Sequence, residues 1–215
     1  MFDTLDMRMS YTHGGAAHRA AVHFNSLRFD VQSLSSRSIV LHRDPRDTVV
    51  PGFFQTKFRL DGYEGTMSDF FRDPHHGLKK VITFNLGWSD AVRDRSGVRV
   101  ISYEALRQDT VGGMSELLAF LQVKRARDRI DRAVSECTFE KMRAAEATSG
   151  FDKSYGEILS PKDPSNPESF KVRKGKVGGF VDYLTREDVE YCDGVLRELD
   201  YFARMGVVIT QPSTA

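Results

Sequence analysis

Ser38-Ile39-Val40-Leu41-His42-Arg43-Asp44-Pro45-Arg46-Asp47 decides the fold class, because it passes from an unbroken apolar run to a charged turn without a spacer. Ser38–His42 has the length and continuous apolarity of a strand covered on both faces, as strands of parallel sheets are. Asp44 then offers a helix-capping side chain and Pro45 the fixed φ of a first helical turn. Strand therefore gives way to helix with Arg43 at the junction. Val98-Arg99-Val100-Ile101-Ser102-Tyr103 reads as a second strand, and helical stretches over Met67–Phe71 and His76–Asp94 lie between the two. Strand, helical crossover, strand predicts a parallel sheet and an α/β fold.

Upstream of this core, Met7–Tyr11 reads as a short strand running into Thr12-His13-Gly14-Gly15, with a helix over Ala16–Phe24. Downstream, Met114, Leu117, Leu118 and Leu121 recur at helical spacing, and Ala126–Ser135 and Phe139–Ala147 read as two further short helices. Between Thr148 and Gly179 the composition turns to Gly, Ser, Pro and Lys without periodicity, which in a compact domain marks a functional or disordered loop. A last helix is predicted over Arg186–Met205, with Val189, Cys192, Leu196, Leu199 and Phe202 on one stripe and Gly206 as its stop.

The 215 residues, 40% of them hydrophobic, suit a single domain over residues 1–215 with one sizeable core. Lys and Arg total 31 against 30 Asp and Glu, a formal charge of +1, so no global field points to nucleic acid or an anionic membrane. Any anionic partner must be met by a local cluster. Two cysteines are too few for a disulfide framework; Cys192 reads as core and Cys137 is undecided. No apolar run approaches the roughly 20 residues that span a bilayer, and the expected location is cytoplasmic. The five-residue spacing of His13, His18 and His23 does not bring all three to one helical face, so no metal is expected there.

Two local clusters fit an anion. Arg43, at the carboxyl edge of a parallel sheet, stands where open α/β folds bind ligands, and its guanidinium fork suits phosphate. The plainer reading is a capped, solvated helix entry. Arg173-Lys174-Gly175-Lys176-Val177-Gly178-Gly179 combines cations with flexible glycines that let backbone amides and side chains converge on one anion; its plainer reading is a solvated basic loop.

Taken in order, these elements resemble the sulfotransferases that use 3′-phosphoadenosine 5′-phosphosulfate (PAPS). Arg43 through Val50 is similar to that family's strand-to-helix phosphate motif; Gly87-Trp88 follows, and Ser102-Tyr103-Glu104-Ala105-Leu106 takes the place of its Tyr-Glu-Asp-Leu segment. Ala119-Phe120-Leu121 resembles its Phe-Leu-Gly helix end. Thr138–Met142 resembles the segment whose aromatic packs near the adenine, and Val172–Gly175 the loop that closes over the nucleotide 3′-phosphate. The resemblance implies a P-loop-type three-layer fold, its parallel central sheet flanked by helices and N-terminally incomplete, since no Pro-Lys-x-Gly-Thr-Thr loop precedes the Thr12-His13 element. Pro51 stands in place of the family's phosphate-contacting serine, and Gly179-Phe180 in place of its Asp-Trp.

Carried over residue by residue, the resemblance implies that Arg43 contacts the 3′-phosphate, Tyr103 the adenosine, Phe139 the base face with Thr138 beside it, and Arg173, Lys174 and Gly175 the 3′-phosphate. His13 corresponds to the catalytic base, which takes the acceptor's proton as its oxygen attacks sulfur. Phe139 reads equally well as core, and Tyr103 as an anchor to neighbouring backbone. The implied activity is sulfuryl transfer from PAPS, without a metal, to a hydroxyl or amine of a small-molecule or glycan acceptor; the alternative is a catalytically impaired nucleotide-binding or interaction protein on the same fold. Acceptor choice would fall to loops at 61–76 and 149–169, where Tyr63, Phe70, Phe71, Phe151 and Tyr155 line an apolar pocket or merely pin the loops. A homodimer is left open.

Overall fold

The computed structural model describes Leu5, Met7 and residues 22–60, 62–148 and 161–206. The expected strand at Met7–Tyr11, apart from Met7, lies outside these residues, as do His13, His18, Phe151, Tyr155 and most of the predicted helix at Ala16–Phe24. Phe24–Ser26 forms a single 3₁₀ turn, capped by His23, whose Nδ1 accepts the Asn25 N–H at 3.2 Å. The fold is α/β, and the chain clusters into two compact units.

The first unit comprises residues 12–53, 64–101 and 177–215. Its parallel sheet pairs β1 (Ser38–His42) with β2 (Val98–Ser102). Helix α1 (Pro45–Phe58) starts where Asp44 predicts it: the Asp44 carboxylate accepts the Arg46 N–H at 2.8 Å and its carbonyl accepts the Thr48 N–H at 3.0 Å. Helix α2 (Met67–Arg72) opens on a capping box between Thr66 and Asp69. Helix α3 (Leu78–Val92) follows at once, and only glycine fits its entry: a Cβ on Gly77 would lie 2.4 Å from the carbonyl oxygens of Phe70 and Phe71. Phe70 and Phe71 are themselves 2% and 0% exposed. They pin the core of this unit and do not line an open pocket.

Helix α3 buries Leu78, Ile82, Leu86, Trp88 and Val92. Gly87 leaves room for the Phe29 ring, which meets Trp88 edge-on at 5.7 Å. Where one helix was predicted over Arg186–Met205, two form: α8 (Arg186–Glu198) and α9 (Tyr201–Met205). The break falls at Asp200, whose φ of 49° is left-handed and incompatible with a continuing helix. It turns Tyr201 inward, where its hydroxyl accepts from Asn85 Nδ2 of α3 at 2.8 Å. On the predicted stripe, Cys192 and Leu196 are buried, whereas Val189, Leu199 and Phe202 are only partly covered; Val195 and Tyr201 complete the buried face. Cys192 is core, and burial pushes its thiol up to about 12. Gly206, with φ of 66°, ends α9.

The second unit comprises residues 1–11, 54–63 and 102–176, and the regular elements among its described residues are helical. Ser102 caps α4 (Tyr103–Gln108) and Asp109 caps α5 (Thr110–Phe120), accepting from Ala105 N–H at 3.1 Å and Gly112 N–H at 2.8 Å. Met114, Leu117 and Leu118 of α5 are buried, as are Ile130 and Ala133 of α6 (Arg127–Glu136), which packs on α5. Helix α7 (Phe139–Ala147) is capped by Thr138, whose hydroxyl accepts the Lys141 N–H at 3.3 Å. Among the described residues, no helix is long and apolar enough to cross a membrane.

Candidate functional site

In the first unit, the charged turn after β1 sorts its two arginines by burial. Arg46 is internal. It binds Asp44 through Nε at 3.1 Å and one terminal nitrogen at 2.7 Å, reaches Asp193 at 2.7 Å, and stacks on the Phe180 ring at 4.3 Å. Burial pulls its pKa down, but Asp44 and Asp193 outweigh that and leave it raised. Arg43, by contrast, keeps 26% of its side chain exposed and is paired at 3.4 Å with Asp47, one turn along α1. Asp47 is nearly sealed, and its two oxygens accept the N–H groups of Gly178 at 2.7 Å and Phe180 at 2.9 Å. One buried carboxylate thus orients a partly exposed guanidinium and fixes the backbone that follows the basic segment.

In the second unit, α7 presents Phe139, Arg143 and Glu146 at the i, i+4, i+7 spacing of one helical face. All three meet the segment 170–175. Glu146, 1% exposed, accepts the N–H groups of Lys171 at 2.6 Å and Val172 at 2.8 Å, one on each oxygen. Arg143 donates to the Val172 carbonyl at 2.7 Å and covers the Phe170 ring at 3.6 Å. Arg59 donates to the Ser169 carbonyl at 2.8 Å and stands 4.0 Å from Glu146. Burial, with Arg59 nearby, lowers the Lys171 pKa, and burial lowers that of Arg59 against the pull of Glu146.

At the other end of that segment, Gly175 adopts φ of 58°, and a Cβ there would lie 2.9 Å from Cδ2 of Phe139. Glycine is required for the backbone angle and for the close approach. Tyr103, the first residue of α4, donates through its hydroxyl to the Gly175 carbonyl at 3.4 Å. Tyr103, Phe139 and Gly175 therefore form one contact group, with Phe139 half-buried instead of sealed in the core. Lys174 is exposed. Arg173 lies over the Phe54 ring at 4.0 Å and 3.5 Å from Glu168.

The sulfotransferase domain, as a family profile, matches residues 17–205. This chain belongs to the sulfotransferase domain family. The family chain is 25% identical over 177 residues to mouse sulfotransferase 2A1, an alignment covering 77% of this chain and 57% of that protein. It is 26% identical over 179 residues to a guinea-pig (Cavia porcellus) 3-beta-hydroxysteroid sulfotransferase, covering 79% of this chain and 58% of the relative. Among solved structures, a retinol dehydratase in complex with androsterone and the inactive cofactor PAP superposes with a TM-score of 0.61 at 20% identity, over 83% of this chain and 50% of the other. This sulfotransferase-family chain thus spans little more than half the length of the curated relatives it matches.

Of the positions singled out by sequence, Tyr103 and Phe139 both meet Gly175, Thr138 caps the helix that carries Phe139, and Arg43 stands at the end of β1. Asp47, Arg143 and Glu146, which hold these elements, carried no recognised role in the sequence. Asp47 lay inside the quoted motif and its position one turn after Arg43 was a usable signal. Nothing local marked Glu146, whose partners stand 25 and 26 residues away.

Proposed function

We propose that this chain is a PAPS-dependent sulfotransferase acting as one cytoplasmic domain over residues 1–215, moving a sulfuryl group to a hydroxyl or amine of a small-molecule or glycan acceptor. The observation that carries the reading is the Tyr103–Gly175–Phe139 group: a basic segment laid against a half-buried aromatic ring, as a purine base with an attached phosphate requires. These residues fit such a nucleotide. Phe139 would meet the base face with Thr138 beside it, Tyr103 the adenosine, and Arg173, Lys174 and Gly175 the 3′-phosphate, to which Arg43 also contributes. PAPS, when bound, supplies the sulfuryl group. His13 would take the acceptor's proton on an imidazole nitrogen as the new O–S or N–S bond forms and the bond from sulfur to the 5′-phosphate oxygen breaks, releasing 3′-phosphoadenosine 5′-phosphate, a role suited to an imidazole. The hydroxysteroid and androsterone named for the relatives make secondary alcohols the first acceptors to try.

The test is calorimetric titration with 3′-phosphoadenosine 5′-phosphate (PAP) and with AMP, which lacks the 3′-phosphate. A charge-assisted hydrogen bond is worth about 1.5–3 kcal/mol, so PAP should bind at least about tenfold more tightly. Equal affinities would overturn the assignment. Sulfuryl transfer from radiolabelled PAPS to a panel of alcohols, phenols and amines tests the chemistry, and PAP binding without turnover would favour a nucleotide-binding relative on the same fold.

A further inference from the structure

We infer that Glu146 is the positioning residue of the basic segment: it sets where Arg173, Lys174 and Gly175 stand without touching a ligand itself. The inference rests on the reading of that segment as the 3′-phosphate site. A glutamate is almost never fully buried unless its charge is matched, and here the match is the backbone of one loop together with the Arg59 guanidinium at 4.0 Å. Its two oxygens accept the N–H groups of consecutive residues, Lys171 and Val172. Consecutive amides of an extended chain point to opposite sides, so two of them on one carboxylate fix a local turn of the backbone. The carbonyl of Val172 is held in turn by Arg143 at 2.7 Å. Hydrogen bonds thus restrain the backbone on both sides of Val172, immediately before Arg173.

Beyond Arg173, the segment is gripped again at Gly175, by the Tyr103 hydroxyl and against the edge of Phe139. Phe139 and Glu146 belong to the same helical face, so one short helix sets both the ring and the origin of the loop that lies on it. The segment carries no helix or strand of its own between Phe170 and Lys176; its order comes from these contacts. Ordering it at folding rather than at binding removes a cost that a phosphate would otherwise meet. Loss of Glu146 should therefore weaken recognition of the 3′-phosphate selectively and leave contacts to the base and ribose as they are.

Glu146→Gln isolates the point, because the amide keeps the size of the side chain but turns one of its two acceptors into a donor facing an N–H. Measured by calorimetry on the full chain, the ratio of AMP to PAP dissociation constants should fall by about tenfold, with the AMP constant within about twofold of wild type. A merely structural role would weaken both nucleotides together and lower the melting temperature. Glu146→Asp, whose carboxylate is one methylene short, should give an intermediate ratio, and it carries the test if the Gln variant fails to fold. A wild-type ratio in either variant overturns the inference alone. Equal PAP and AMP affinity in the wild type overturns the phosphate reading and this role with it.

Discussion

Arg43 follows a strand and Arg173 an irregular segment, and the two guanidinium groups are held by different means. Most of what places Arg43 is local: the apolar strand before it, the Asp44 cap and Pro45 after it, and an ion pair with Asp47 four residues on, with one longer reach in Asn85, whose Nδ2 donates to the Arg43 carbonyl at 3.5 Å. Arg173 follows a segment with no regular structure, placed by Arg59, Arg143 and Glu146 from 110, 29 and 25 residues away. A local arrangement survives as long as its own helix forms. A long-range one survives only while several distant side chains keep their partners, so a single buried substitution should undo it.

The largest effect is expected where the two kinds of order meet, at Asp47, which pairs with Arg43 locally and accepts two N–H groups from 131 and 133 residues away. Asp47→Ala deprives both N–H groups of their acceptor. Each buried donor left unpaired costs roughly 1–3 kcal/mol, giving a loss of about 2–6 kcal/mol for the two in chemical denaturation. A cost below about 1 kcal/mol would show that the backbone at Gly178–Phe180 is fixed by something else. Gly175→Ala comes next. Alanine at a left-handed φ costs about 1–2 kcal/mol, and its Cβ forces the Phe139 ring to move. Pairing it with Phe139→Leu should recover the steric part and leave the backbone part, measured as a double-mutant cycle; an alanine variant as stable as the wild type would refute the tight approach.

The same contrast explains what the sequence made legible. Strand Ser38–His42, the Asp44 cap and helix Phe139–Ala147 were readable to the residue because apolar runs, caps and turn residues are short-range signals. The break at Asp200 was not, since the helical stripe continues through it in sequence and only the inward turn of Tyr201 onto Asn85 accounts for it. Phe70 and Phe71 read equally as pocket lining or as loop pins; their burial, which decides for the second, depends on the packing of α2 against α3. Glu146 stands in a helix rich in charge, where a glutamate ordinarily faces solvent. Its burial follows from a loop whose course has no periodic signature. Local chemistry offered an anion reading of Arg43 and Arg173 beside a solvated one; their assignment to a 3′-phosphate came from the order of motifs along the chain, a signal that family resemblance carries.

The smallest expected effect sharpens the local half of the comparison. His42 ends β1 beside Arg43 and is 7% exposed; burial disfavours its charged form and lowers its pKa below the ordinary 6.5. In the folded chain it therefore stays neutral where an unfolded chain would already bind a proton. Above about pH 6.5 both states are neutral and His42 contributes no pH dependence. As pH falls below that value the unfolded state gains the proton first and stability declines, until the folded pKa is reached and the dependence from this group ends. His42→Gln removes the titration, so the difference in denaturation midpoint between wild type and variant should narrow, or reverse in the variant's favour, as pH is lowered from 7.5 through 6.5 to 5.5. Because the junction at Arg43 is locally encoded, PAP affinity of the folded variant at pH 7.5 should stay near that of the wild type. A midpoint difference constant across this range would mean that His42 takes up its proton equally in both states and that the carboxyl end of β1 is more open to water than its burial indicates.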